Sequence, residues 1–286
     1  MARQLTRYQI FEYSDQDPCI IYNMNIAAEG IVSSHWHKEL EIVYYLRGKT
    51  LHYIDGKCIQ GIPGRVIVTN CECVHNILPE ERPLDDGLMD CVVILISEAF
   101  LKRYFPEYKR IYFTNEKTQA APALADTIMK ISDYQKSAGH EPQDYLYLNG
   151  LLLHLVYYLY NEGAKRQDDA SVIKAHKSAD RLKEVLTYIA DHYAEPISQK
   201  EIAETFFFDS SHFSRLFKQC MGITFTDYLV RFRVNHAKKD LLETNDSITD
   251  IALSNGFSDS RSFINSFKKI YGKPPLQYRK SIHNGA

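Results

Sequence analysis

The sequence predicts an α+β multidomain protein: a strand-rich N-terminal domain, a helical segment, and an all-α C-terminal domain built on a duplicated unit. Three observations predict it. Short Val-, Ile- and Tyr-rich runs punctuated by turns fill residues 18–96. From Glu98 the apolar spacing becomes helical, and the tail repeats itself at offsets of 49 and 50 residues. A chain of 286 residues can bury two cores.

The strand readings are Ile20–Ile26, Leu40–Leu46, Leu51–Ile54, Val66–Thr69 and Cys91–Ile96, separated by Arg47-Gly48, Asp55-Gly56 and Pro63-Gly64. Asp55-Gly56 is a strong hairpin signal, because a primed turn needs the positive φ that glycine tolerates. Many short strands with regular turns predict a small sandwich or β-barrel over residues 1–97. Residues 98–162 read as helical. Leu148, Leu152, Leu155 and Leu159 form an apolar stripe there, with Tyr145, Leu151 and Tyr158 widening it. Either that stripe dimerises the chain or it packs on its own sheet. Polar residues 163–174 read as a linker to a domain at 175–286.

In the tail, Ile202-Ala203 and Phe208 recur as Ile251-Ala252 and Phe257 at an offset of 49. Phe213, Phe217, Lys218, Gly222 and Tyr228 recur as Phe263, Phe267, Lys268, Gly272 and Tyr278 at an offset of 50. One residue inserted in a turn explains the slip. Each copy reads as helix, turn, helix, over about 198–222 and 247–272. Ser198 with Glu201 makes a capping box, and Ser247 with Asp250 opens the second copy. Asp209 or Ser210, and Ser258 or Asp259, can cap the second helix of each pair. Those helices bury phenylalanines and leave Ser211, Ser214, Arg215 and Lys218, or Ser260, Arg261, Ile264, Asn265 and Lys268, on other faces. Such faces suit base edges: arginine pairs with guanine, asparagine with adenine, and an isoleucine suits a thymine methyl.

Charge agrees with that reading. Residues 1–170 hold 17 Lys and Arg against 23 Asp and Glu, whereas residues 205–286 hold 12 against 7. The excess falls on the duplicated unit, as contact with a polyanion requires. Composition is ordinary for a globular chain, at 45% hydrophobic and 24% charged. No run reaches the roughly 20 apolar residues of a membrane span, and no signal peptide opens the chain. Six scattered cysteines suit reduced thiols. A cytoplasmic protein is expected.

The tail also carries Ile248, Ile251-Ala252, Gly256-Phe257, Asp259, Phe263, Phe267-Lys268, Gly272, Pro275 and Tyr278-Arg279. This pattern resembles the signature of the AraC/XylS family of bacterial transcription regulators, and the likeness covers about 175–282. The resemblance implies two helix-turn-helix units joined by a long helix near Thr226–Glu243. It places base-contacting positions on Ser211, Ser214 and Arg215, and on Ser260, Arg261, Ser262, Ile264 and Asn265. Serines at 211 and 214 are smaller, and Ile264 less polar, than the family often has. The partners implied are double-stranded DNA, a second copy of the chain, a small-molecule effector and, for an activator, RNA polymerase.

Upstream, Gly30, His35, His37, Glu41 and Gly48 are spaced like the first cupin motif, and Gly64 with His75 like the second. The resemblance implies a cupin-like sensor domain, in which His35, His37, Glu41, Tyr53 and His75 form an effector pocket; sugar is the first expectation. Asn70 and Glu72 stand where the second motif has Pro and Gly. The same residues could instead hold a divalent metal, which would make the domain a metal sensor or a metalloenzyme fused to a DNA-binding tail. Cys71, Cys73 and His75 could hold a soft metal, or the thiols could simply be buried. No nucleophile–base pair or phosphate-binding loop is visible. The expectation is a ligand-responsive regulator with no catalytic residue, cofactor or resident metal.

Overall fold

The computed structural model describes residues 11, 13, 18–25, 32–80, 88–137, 141–166 and 169–283. Gly30 and Ile26 of the sequence readings lie outside them. The chain divides into two units, residues 1–182 and 183–286.

The first unit contains strands β1 (Cys19–Met24), β2 (Val32–His35), β3 (Leu40–Tyr45), β4 (Thr50–Ile54), β5 (Lys57–Gly61), β6 (Val66–Thr69), β7 (His75–Pro79) and β8 (Cys91–Ile96). They pair into two four-stranded sheets, β1-β8-β3-β6 and β2-β7-β4-β5. Every residue of β8 is buried, as befits a central strand covered on both faces. On β3 the two-residue period sends Leu40 and Ile42 to one core with helical residues, and Val43 and Tyr45 to another shared with Ile54 of the second sheet. At Asp55-Gly56 both φ values are positive, 45° and 80°, and the turn joins β4 to β5 as that dipeptide predicts.

A single barrel is not what forms. Each ladder ends on edge strands, β1 and β6 in one sheet and β2 and β5 in the other, so among the described residues the sheets do not close.

After β8 come α1 (Glu98–Tyr104), a 3-10 turn (Pro106–Arg110), β9 (Ile111–Phe113), α2 (Pro122–Lys136), α3 (Pro142–Gly163) and β10 (Ala164–Arg166). Here the stripe on α3 corrects the dimerisation reading. Leu148, Leu152, Leu155 and Leu159 are all buried in one cluster with Ile42, Ile94, Leu124 and Ile128. They cover the outer face of the first sheet, each burial contributing about 1.5–3 kcal/mol. The side that α3 exposes instead carries Leu146, Leu153, Tyr157 and Tyr160. Residues 163–174 also depart from a linker, because β10 pairs antiparallel with β9 and α4 (Asp169–His192) begins inside the segment.

The second unit takes the end of α4 and then α5 (Gln199–Thr205), α6 (Ser210–Met221), α7 (Phe225–Glu243), α8 (Ile248–Ser254), α9 (Ser260–Tyr271) and α10 (Pro275–His283). Helix α7 is the long connection expected at 226–243. Among the described residues no helix is long and apolar enough to cross a membrane.

Candidate functional site

Two sites emerge, one in each unit. In the C-terminal unit, α5–α6 and α8–α9 repeat down to their caps. Asp209 accepts the His212 N–H at 2.9 Å, and Asp259 accepts that of Ser262 at 2.7 Å. That backbone N–H and the Ser258 hydroxyl hold the Asp259 carboxyl below its usual range. Gly222 and Gly272 end α6 and α9 in left-handed conformation, at φ 74° and 76°. The Phe208 and Phe257 N–H groups bond the Ala203 and Ala252 carbonyls alike, so Ser258 is the inserted residue that changes the offset.

Helix orientation follows from the buried phenylalanines. Phe213 and Phe217 pack on Phe225 and Tyr228, while Phe263 and Phe267 pack with Tyr271 and Tyr278. With that face committed, Ser211, Ser214, Arg215 and Lys218 are exposed on α6, and Arg261, Ser262, Asn265 and Lys268 on α9. Ser260 and Ile264 are half-buried. Each set therefore shares one helix, outward of the core. Short polar side chains with an Arg or Asn on a solvent-facing helix can enter a major groove.

The N-terminal site is a buried cluster. One ligand atom each from His35, His37, Glu41 and His75 lies within 4.8 Å of the others, and all four side chains are buried. His35, His37 and Glu41 do not share one strand. β2 ends at His35, a turn follows, and Glu41 sits on β3 of the other sheet, so the cluster spans the gap between sheets. The His35 and His75 rings lie 4.1 Å apart. His37 Nε2 and His75 Nε2 face the same Glu41 oxygen at 3.2 and 3.3 Å. Burial opposes the charge on Glu41, yet His75 and His37 hold its carboxyl well below the usual range. His75 is raised in turn: burial works against its charge, and Glu41 outweighs burial.

Tyr53 does not join this cluster. His52 and Ile54 are buried on β4, and the two-residue period turns Tyr53 the other way, beside Cys58. Cys73 contributes its backbone carbonyl, which accepts from His75 Nδ1 at 2.9 Å. The Cys71 thiol is pushed up to about 12 by burial, as for an inert buried thiol.

Two neighbours escaped the sequence reading. Glu39 is buried with Oε2 3.5 Å from His37 Nδ1; its signal is the alternation His37, Glu39, Glu41. His52 accepts from the Tyr45 hydroxyl at 2.6 Å, and Tyr45 accepts from Thr50 at 2.6 Å. Burial lowers His52 to about 3, so it stays neutral. Nothing in the local sequence marks it.

Residues 202–281 match the family model of a helix-turn-helix domain. An HTH-type transcriptional regulator of Staphylococcus aureus is 37% identical over 247 residues, covering 84% of this chain and 31% of that protein. The HTH-type transcriptional regulator YdeC of Bacillus subtilis is 25% identical over 291 residues, covering 97% and 96%. A solved regulator of Chromobacterium violaceum, described as having an AraC-type DNA-binding domain, is 28% identical with a TM-score of 0.35, covering 37% of this chain and 94% of that one. The chain spans about a third of the length of the staphylococcal relatives, 31% and 34% for two of them.

Proposed function

By its C-terminal residues this chain belongs to the AraC-type helix-turn-helix family, and on that premise we propose that it is a sequence-specific DNA-binding regulator whose N-terminal cluster senses a small ligand. The observation that carries the DNA reading is the pair of outward polar faces on α6 and α9, each backed by two fully buried phenylalanines. Each face enters one major groove, so one chain occupies two groove segments roughly 10 bp apart. Footprinting on a selected site tests this. Protection of a single groove segment per chain would contradict the duplicated reader.

For the ligand, the cluster's geometry favours a divalent metal ion over a sugar. The donor atoms converge within 4.8 Å and are buried, which suits a single ion more closely than a ring of hydroxyls. His37 Nε2 and His75 Nε2 both face one Glu41 oxygen, at 3.2 and 3.3 Å, the separations that two ligands of one ion show. Three imidazoles and one carboxylate suit iron, manganese or zinc. His35, His37, Glu41 and His75 would hold the ion, which would supply a charge that draws the two sheets together. Metal analysis of purified chain tests it. About one ion per chain, lost in His37→Ala with Glu41→Ala, supports the reading; no ion above background, even after loading, defeats it.

The protein acts as a homodimer on this proposal, and as an activator it would also meet RNA polymerase. Pairing uses the exposed side of α3. Leu146, Leu153, Tyr157 and Tyr160 stand there at spacings of seven, four and three, the seam spacing of paired helices. Sedimentation should show a folded monomer for Leu153→Asp with Tyr157→Asp, whereas Leu152→Asp should unfold the domain.

A further inference from the structure

We propose that Glu39 is a positioning residue for His37: its carboxylate accepts the Nδ1 proton and thereby fixes the tautomer whose Nε2 lone pair, beside the Glu41 carboxylate, is offered to a divalent ion. The inference rests on the metal reading of the cluster. A metal-bound imidazole usually donates its other N–H to a carboxylate or carbonyl, which sets both ring orientation and basicity.

His75 shows that arrangement complete. Its Nδ1 donates to the Cys73 carbonyl at 2.9 Å, and its Nε2 lies 3.3 Å from Glu41 Oε2. His37 repeats the inner half, with Nε2 at 3.2 Å from the same Glu41 oxygen. Its outer half is poised rather than closed. Nδ1 and Glu39 Oε2 stand 3.5 Å apart, a little beyond hydrogen-bond length. Both atoms are buried without a partner at normal hydrogen-bond length among the described residues, the Tyr13 hydroxyl being the other group that faces the Glu39 carboxylate. Two orphaned polar atoms facing each other across a few tenths of an ångström are expensive to leave apart. Closing the gap satisfies both at once, and it leaves Nε2 with its lone pair free for an ion.

The test uses the full chain, stripped by a chelator and titrated with Co(II) in competition with an indicator, with the visible Co(II) spectrum recorded. The parent should take up one Co(II). Glu39→Ala should bind roughly 10- to 100-fold more weakly with an altered spectrum, the usual effect of losing such a partner. Glu39→Gln keeps an acceptor oxygen and should recover most of the affinity. Nitrogen-15 shifts of the Zn(II)-loaded parent should show His37 protonated at Nδ1; this holds the idea to account even if the alanine variant does not fold. A parent that binds Co(II) while Glu39→Ala binds it equally well overturns the role of Glu39 alone. So does a His37 protonated at Nε2. A parent that binds neither Co(II) nor Zn(II) overturns the metal reading, and this inference with it.

Discussion

The two helix-turn-helix units share a backbone and differ in how their turns are fastened. Phe206 and Asn255 close α5 and α8 with nearly the same angles, φ −101° and −100°. The next residue is left-handed in both: Phe207 at φ 54° and Gly256 at φ 79°. There the likeness ends. Asn255 is buried and donates to Asp240 at 2.7 Å and to the Ile251 carbonyl at 2.9 Å. Gly256 lies so close to the end of α4 that an added Cβ would stand 2.8 Å from the carbonyl oxygens of Tyr193 and Ala194. Arg279 further ties α10 to the Leu241 carbonyl at 2.8 Å. The first turn is fastened differently: Phe206 is half-buried with its ring 5.7 Å from that of Tyr188 on α4, and Phe207 is 91% exposed. Duplication preserved the caps that shape each reader, while anchorage of the turn diverged.

The sharpest way to break this comparison is Gly256→Ala. The added carbon meets backbone oxygens that cannot swing aside, in a conformation that already disfavours a side chain. Strain and overpacking together should cost about 2–4 kcal/mol. Circular dichroism should show the helical transition of the full chain melting several degrees lower. An unchanged melt would mean that α4 does not press on the second turn.

DNA binding should separate the readers by a smaller margin. Arg261→Ala and Arg215→Ala should each cost about 1–3 kcal/mol and relax preference at one base pair. The loss should be larger for Arg261, because Asn265 one turn on aligns the same face with an adjacent base, whereas no asparagine accompanies Arg215 on α6. Lys218→Ala and Lys268→Ala should instead weaken every sequence alike and lower the salt slope by roughly 0.9 each. Titrations of a selected site and a scrambled one, at three salt concentrations, distinguish these outcomes. Equal losses for the two arginines would say the units read equally.

How legible this was in the sequence depended on what each residue had to satisfy. Val66–Thr69 and Cys91–Ile96 were readable to the residue, because strands buried on both faces are dense in β-branched side chains. β5 and β7 were missed: Lys57, Gln60, His75 and Asn76 dilute the apolar signal. The caps Ser198, Asp209, Ser247 and Asp259 were legible because capping is local chemistry. The role of α3 was not, since the helix carries two apolar stripes and only tertiary packing decides which one meets the sheet. At the N-terminal site the ligand residues were visible as spacing, but their convergence across two sheets was not. Glu39 left only its alternation with His37 and Glu41 as a trace, and His52, which acts through Tyr45 on another strand, left none.

The smallest expected effect lies at the first turn, and it tests the comparison from the other side. Phe207 holds φ 54°, a conformation that costs a residue with a Cβ about 1–2 kcal/mol and glycine almost nothing. Its ring is 91% exposed, so removing it forfeits little burial. Phe207→Gly should therefore relieve the strain. Part of the gain is offset by the greater freedom of glycine in the unfolded chain, about 0.5–1 kcal/mol. The net expectation is a stabilisation of about 0.5–1 kcal/mol, seen as a slightly higher melting temperature. Phe207→Ala is the control, since it removes the ring while keeping a Cβ in the left-handed region, and it should leave the melt nearly unchanged. Destabilisation by both substitutions would show that the ring is anchored after all, and the first turn would then be held by its side chain much as the second is held by its glycine.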